Sequence, residues 1–134
     1  MDDIGFESII DNVGELKYRY LGERSVDDVP TYIPNGCFFI INTEKKPKRN
    51  EIGHWILLAN KDFKLHFGDS YAKTIKFYRK LKIGGKLKYM NKTSQPKTPY
   101  CAVWAVYYAM RLYGNVPAIH NDIELLRFMK KYMK

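Results

Sequence analysis

The sequence predicts an α+β fold in which a small central, mostly antiparallel sheet packs against one buried helix. Two apolar runs lie on either side of Asn60, Lys61 and Asp62, a pattern typical of a hairpin between two strands. The stretch 101–113, CAVWAVYYAMRLY, is so apolar that a helix formed there must be buried. The 134 residues, 46% of them hydrophobic, are expected to form a single domain over residues 1–134 around one core.

The other elements follow from hydrophobic spacing and from glycine and proline positions. The first strand of the hairpin is expected to open with His54 and Trp55, and the second to end at Asp69. Before the hairpin, the predicted elements are an amphipathic helix over 4–17 ended by Gly14, an irregular connection over 18–35, a buried strand over 36–43 and a charged loop over 44–51. After the hairpin, they are a helix over 70–82 capped by Asp69 or Ser70, a short strand over 86–91 and the buried helix from Pro99 or Tyr100 to Tyr113. A final helix over 122–134 is expected to have Ile123, Leu126, Phe128 and Met129 as its inner face.

Composition narrows the class of protein. No apolar run approaches the roughly 18 residues that a membrane span requires, and the N-terminus is acidic and lacks the basic and apolar regions of a signal peptide. We therefore expect a protein that is neither secreted nor attached to a membrane. Cys37 and Cys101 are too few for a disulfide framework and lack the spacing of metal ligands, so no metal is expected.

The net charge of +9 is unevenly distributed, because no acidic residue lies between Asp69 and Asp122. A uniformly basic stretch predicts a polyanionic partner, usually nucleic acid. The alternative is a solvated, lysine-rich face, which the scarcity of interleaved aromatic residues favours. The candidate DNA-binding residues are Lys73, Lys76, Arg79, Lys80, Lys82, Lys86 and Lys88.

Three reactive groups and one amide form a candidate catalytic set. Cys101 begins a helix, where unpaired backbone N–H groups and the helix dipole favour a thiolate. In an antiparallel hairpin His54 and Asp69 come to the same edge of the sheet, so the carboxylate can orient the imidazole as a general base. Gln95, a few residues before Cys101, is placed to donate to an oxyanion together with the Cys101 backbone N–H. Each residue alone has a structural explanation, but the set matches thiol acyl transfer.

The sequence resembles the adenovirus-type maturation proteases, or adenain-like cysteine proteases, found in adenoviruses and in virophage or Polinton-like elements. The resemblance covers roughly residues 6–120. It rests on the segments YLGERSVDDVP, CFFIINT, GHWILL, FGDSYAKTIKFY, QPKTPYCAVW and PAIHND. These proteases are related more distantly to those that cleave ubiquitin-like modifiers.

The resemblance implies a papain-like core and a viral cysteine endopeptidase that cleaves capsid or other virion precursor proteins after a small residue such as glycine. It implies that His54 is the base, Asp69 its orienting acid, Cys101 the nucleophile and Gln95 an oxyanion donor. A monomer acting in the virion and at the assembly site in the host nucleus or cytoplasm is expected, with no required cofactor and with viral DNA as a possible activator.

Three departures from the family pattern qualify this expectation. Adenoviral members have glutamate in place of Asp69, although aspartate is common in the modifier-protease branch. A glycine usually follows the nucleophile, and Ala102 in its place is expected to tighten the space near the oxyanion hole. The chain is shorter than adenoviral members and has no third cysteine to bond an activating peptide, so activation of that kind is not expected.

Two other functions remain open from the sequence. One is a protease that removes ubiquitin or a related modifier, which would need a broad docking surface for a folded partner. The other is a non-catalytic, basic DNA-binding module in which the histidine, aspartate and cysteine have no catalytic role.

Overall fold

The computed structural model describes residues 5–44, 53–73, 75, 78, 86–90 and 98–133. They form an α+β fold in which a five-stranded mixed sheet has the order β1-β2-β3-β4-β5. The strands are β1 (Tyr20–Ser25), β2 (Phe38–Asn42), β3 (Trp55–Lys61), β4 (Lys64–Gly68) and β5 (Leu87–Tyr89). The helices are α1 (Phe6–Asp11), α2 (Gly14–Lys17), α3 (Cys101–Tyr113) and α4 (Asp122–Met129), and a 3-10 turn, Lys130–Tyr132, follows α4.

The sheet is less antiparallel than the sequence predicted. The β2–β3 and β3–β4 pairs are antiparallel, whereas β1 runs parallel to β2 and β5 runs parallel to β4. Strand β1 lies in the stretch 18–35, where an irregular connection was wrongly predicted. Its pattern is obscured by the charged residues Glu23 and Arg24 and by Gly22, whose φ of 113° accompanies a break in register between Tyr20 and Glu23.

The central hairpin is present as predicted. Strands β3 and β4 pair from Leu57 with Gly68 to Lys61 with Lys64. The turn consists of Asp62 and Phe63, both with positive φ, which matches the backbone of a two-residue hairpin turn. Because the turn closes one end of the hairpin, the residues flanking the other ends of both strands are brought together.

Helix α3 packs across one face of the sheet. It ends at Tyr113, before Gly114, as predicted, and it begins at Cys101, one or two residues later than the predicted start at Pro99 or Tyr100. Ala102 to Met110 are all buried. The apolar cluster that contains α3 also includes Phe38, Leu57 and residues of α1, α2 and α4. A second apolar cluster covers the opposite face of the sheet and includes Val26, Ile33, Phe39, Ile41, Ile56, Leu58 and Phe67. Both faces of the central strands are therefore buried.

Three predicted helices differ from the structure. The N-terminal helix is divided at Asn12 and Val13, so that Gly14 begins α2 instead of ending a longer helix. The described part of the predicted helix over 70–82 does not begin as a helix, since Ser70–Lys73 form an irregular turn; most of the rest lies outside the described residues. In α4 the buried residues are Leu125 and Met129, whereas Ile123 is 69% exposed.

Within the described residues, no helix is both long enough and apolar enough to cross a membrane.

Candidate active site

The candidate site lies at the open end of the central hairpin. His54 immediately precedes β3 and Asp69 immediately follows β4, and Nε2 of the imidazole lies 2.6 Å from Oδ1 of the carboxylate. The side chain of His54 is 11% exposed and that of Asp69 is 1% exposed. The contact between these residues, predicted from strand order, is present. An ionised carboxylate can only accept, so the ring proton lies on Nε2.

Backbone contacts fix the position of His54. Its carbonyl accepts from the Thr43 N–H at 2.8 Å, and its own N–H donates to Thr43 Oγ1 at 3.3 Å, which continues the β2–β3 pairing by one residue. The preceding residue, Gly53, lies against the side chain of Asn42, where a Cβ atom would come within 2.0 Å. A larger residue would require the Asn42 side chain to move, and glycine avoids this clash where the chain enters β3.

Among the described residues, the backbone N–H groups of Tyr71 and Lys73 and the hydroxyl of Tyr78 hold Asp69 in addition to the imidazole. The Tyr71 N–H donates to Oδ1 at 3.0 Å, while the Lys73 N–H at 3.2 Å and the Tyr78 hydroxyl at 2.5 Å donate to Oδ2. Burial alone would raise the pKa of Asp69, but the hydrogen bond and charge of His54, with the Tyr78 and Tyr71 donors, lower it below its usual value. The carboxylate therefore stays ionised and in one orientation.

A tyrosine ring covers the imidazole. The ring of Tyr71 stacks on that of His54 with a centroid distance of 4.0 Å and an interplanar angle of 3°. Trp55, the residue after His54, lies in the core instead, since it is 5% exposed and its ring lies 5.4 Å from that of Phe6. Sequence reasoning missed Tyr71 because it was assigned to the inner face of a helix.

Cys101 enters the site from helix α3. It is the first residue of that helix, and its Sγ accepts from the Trp55 backbone N–H at 3.4 Å. Burial alone would raise the pKa of the thiol, but its interaction with the nearby imidazole of His54 and the charge of that ring, with the backbone N–H groups of Trp55 and Ala102, lower it. The thiol is therefore biased toward thiolate by the groups that the hairpin and the helix start provide.

The pKa of His54 is shifted in the opposite direction to that of the thiol. Burial alone would lower the pKa of His54, but its interactions with Asp69 and Cys101 raise it to about 9. Nε2 is occupied by Asp69, and Nδ1 is buried with no hydrogen-bond partner among the described residues. Nδ1 is thus the ring atom left to exchange a proton with the thiol. The geometry favours a thiolate–imidazolium pair anchored by a buried carboxylate.

The remaining predicted site residues are only partly described. Gln95 lies outside the described residues, as do Lys76, Arg79, Lys80 and Lys82. Lys73, Lys86 and Lys88 are described and exposed. Ala102 is fully buried and belongs to the core around α3. The tightening that it is expected to cause near the oxyanion hole stays a prediction.

Within the described ranges, no group of three or more histidine, cysteine, aspartate or glutamate side chains is arranged to hold a metal ion. Comparison with known proteins finds neither a matching family model nor a matching curated protein.

Proposed function

We propose that this protein is a cysteine endopeptidase of the adenain-like type, built on a papain-like core. The observation that carries the proposal is the 2.6 Å contact of His54 Nε2 with Asp69, which leaves Nδ1 for the thiol of Cys101 at the start of a buried helix. An oriented base beside a thiol of lowered pKa is the arrangement that thiol acyl transfer requires.

The proposed reaction has two steps. The Cys101 thiolate attacks the carbonyl carbon of the scissile peptide, and the imidazolium of His54 protonates the leaving amine as the C–N bond breaks. Water then attacks the thioester while His54 accepts its proton, and the C–S bond breaks, which releases the acid and restores the thiolate–imidazolium pair. Asp69 holds the ring and stabilises its positive charge throughout. In this proposal the Cys101 N–H, which has no acceptor within α3 because it lies in the first turn, and Gln95 donate to the oxyanion.

The proposed substrates are capsid or other virion precursor proteins, cleaved after a small residue such as glycine. Support for this class comes from the resemblance to adenain-like proteases. Viral DNA is a proposed activator, supported by the net charge of +9 and the exposed lysines 86 and 88. The enzyme would act inside the virion and at the site of assembly.

The direct test is to incubate the protein with its co-expressed capsid precursors, with and without DNA, and to identify new N-termini by mass spectrometry. We expect new termini after small residues with the wild type and none with Cys101→Ala. Cys37→Ala is the matched control, because it removes the other thiol and should leave cleavage intact.

Other outcomes would indicate the competing functions. Release of a ubiquitin-like modifier from a folded conjugate, without precursor cleavage, would indicate a modifier protease. Absence of all cleavage under reducing conditions, with DNA binding retained, would indicate a non-catalytic binding module and would overturn the proposal.

A further inference from the structure

A second carboxylate lies behind the nucleophile, outside the proposed triad. Asp122 is the first residue of α4, whose N-cap Asn121 accepts from the Glu124 N–H at 2.9 Å. The Asp122 carboxylate accepts from two groups of the chain segment around Cys101. Trp104 Nε1 donates to Oδ1 at 2.7 Å, and the Thr98 hydroxyl lies 2.9 Å from Oδ1 and 3.0 Å from Oδ2.

Thr98 links the Asp122 carboxylate to Tyr100, the residue before the cysteine. Thr98 is buried, with 7% of the residue exposed, and its hydroxyl oxygen accepts from the Tyr100 N–H at 3.0 Å. A hydroxyl has one proton to donate. Because that proton is committed to Asp122, an oxygen lone pair is directed toward Tyr100, the N-cap of α3, whose own side chain makes no capping hydrogen bond.

Trp104 anchors the chain on the C-terminal side of Cys101. It lies three residues after Cys101, is 2% exposed, and its backbone N–H donates to the Tyr100 carbonyl at 2.9 Å in the first turn of α3. The indole N–H would be an unsatisfied buried donor without a partner, and the Asp122 carboxylate satisfies it. One carboxylate therefore fixes the chain on both sides of the cysteine without touching the cysteine itself.

From these contacts we propose that Asp122 is a positioning residue for the nucleophile. Through Thr98 and Trp104 it sets where the first turn of α3 presents Sγ to the Trp55 N–H and to the imidazole of His54. The inference rests on the proposed function only in treating Cys101 as the reactive thiol. Small displacements matter here, because misplacing a reacting group by about 1 Å can lower a rate about a hundredfold.

The test measures alkylation of Cys101 by iodoacetamide across pH in the intact protein, with each cysteine quantified by mass spectrometry. Thr98→Val removes the hydroxyl but keeps the shape of the side chain. We expect the pH midpoint of Cys101 alkylation to rise by about half to one unit and the rate near pH 6 to fall about threefold to tenfold, since the thiolate loses part of its stabilisation.

Tyr113→Phe is the matched control at the far end of the same helix. Its hydroxyl lies 2.7 Å from the backbone carbonyl oxygen of Asn60, to which it donates, and 3.1 Å from that of Cys37, away from the site. This variant loses a hydrogen-bonding hydroxyl of comparable kind, and we expect its alkylation profile to match the wild type. A general loss of stability would affect both variants, whereas a positioning role changes the profile of Thr98→Val alone.

Asp122→Asn is the second variant, and it decides the matter if Thr98→Val does not fold. It retains the shape of the carboxylate and removes its charge, and we expect the same direction of change. A folded Thr98→Val or Asp122→Asn protein with the wild-type profile would overturn the positioning role while leaving the proposed function intact. If wild-type Cys101 has the pH midpoint of an ordinary thiol, the proposed function itself fails, and that result is distinguishable from the first.

Discussion

Replacing Asp69 by asparagine should abolish the elevated pKa of His54. The rise from 6.5 to about 9 corresponds to about 3 kcal/mol, at about 1.4 kcal/mol per pKa unit. The hydrogen bond and charge of Asp69 provide much of that rise, and burial opposes it. With a neutral amide at position 69 we expect the His54 pKa to fall by about two units, because desolvation of the imidazolium is then less compensated.

The same change should disturb the ring tautomer. An asparagine amide can donate to Nε2, which would move the ring proton to Nδ1, the atom left for the Cys101 thiol. The ring could then no longer accept the proton of the thiol. The equivalent substitution in serine protease triads lowers turnover about ten-thousandfold. We therefore expect peptide cleavage by Asp69→Asn to fall about a hundredfold or more.

The assay is NMR titration of the imidazole signals, with His54 assigned from the spectrum of His54→Gln. Asp62→Asn is the matched control, because it makes the same chemical change in the turn at the other end of the hairpin. Its His54 signal should titrate as in the wild type. The reasoning would be refuted if His54 in a folded Asp69→Asn protein still titrated near pH 9.

Three further predictions concern stability and binding. Gly68→Ala places a Cβ atom 2.7 Å from the ring of Tyr108, so we expect about 1–3 kcal/mol of destabilisation by denaturant unfolding; an unchanged midpoint would contradict the packing. In a Cys101→Ala background, the imidazole–carboxylate pair should make its full contribution to the free energy of unfolding between about pH 4 and pH 6.5. This contribution should be lost at higher pH, where the imidazole deprotonates, and at lower pH, where the carboxylate protonates. It should be absent when Asp69→Asn is added. Replacing Lys86 and Lys88 by glutamine should weaken DNA binding and reduce the slope of log affinity against log salt by about two, whereas an unchanged slope would exclude these lysines from the interface.

Most of what could be predicted about the site came from the order of the strands in the hairpin. The hairpin pattern placed His54 and Asp69 at one edge because antiparallel pairing joins the start of one strand to the end of the next. The apolar run after Cys101 correctly predicted the end of α3 at Tyr113 and the burial of the helix. These inferences depend on local periodicity, which a sequence expresses directly.

The parts that were missed depend on contacts that are distant in sequence. Strand β1 is stabilised by parallel pairing with β2, although Glu23 and Arg24 interrupt its apolar pattern. Tyr78 and Asp122 contribute through a single hydroxyl and a single carboxylate, and neither position has a periodicity that would reveal a partner. The hydrogen bond from the Trp55 backbone N–H to Cys101 Sγ depends on how α3 crosses the sheet, which no local sequence pattern specifies.

The most direct test of the activated thiol needs no knowledge of the substrate. The alkylation rate of each cysteine is measured at pH 6 and pH 9, so that the ratio within one cysteine cancels differences in access. The rate for an ordinary thiol falls about a hundredfold or more over this range, as its thiolate is protonated. We predict that Cys101 slows by less than about tenfold and that His54→Gln restores the larger decrease. If Cys101 in the wild type slowed as much as Cys37 does, it would not be an activated nucleophile.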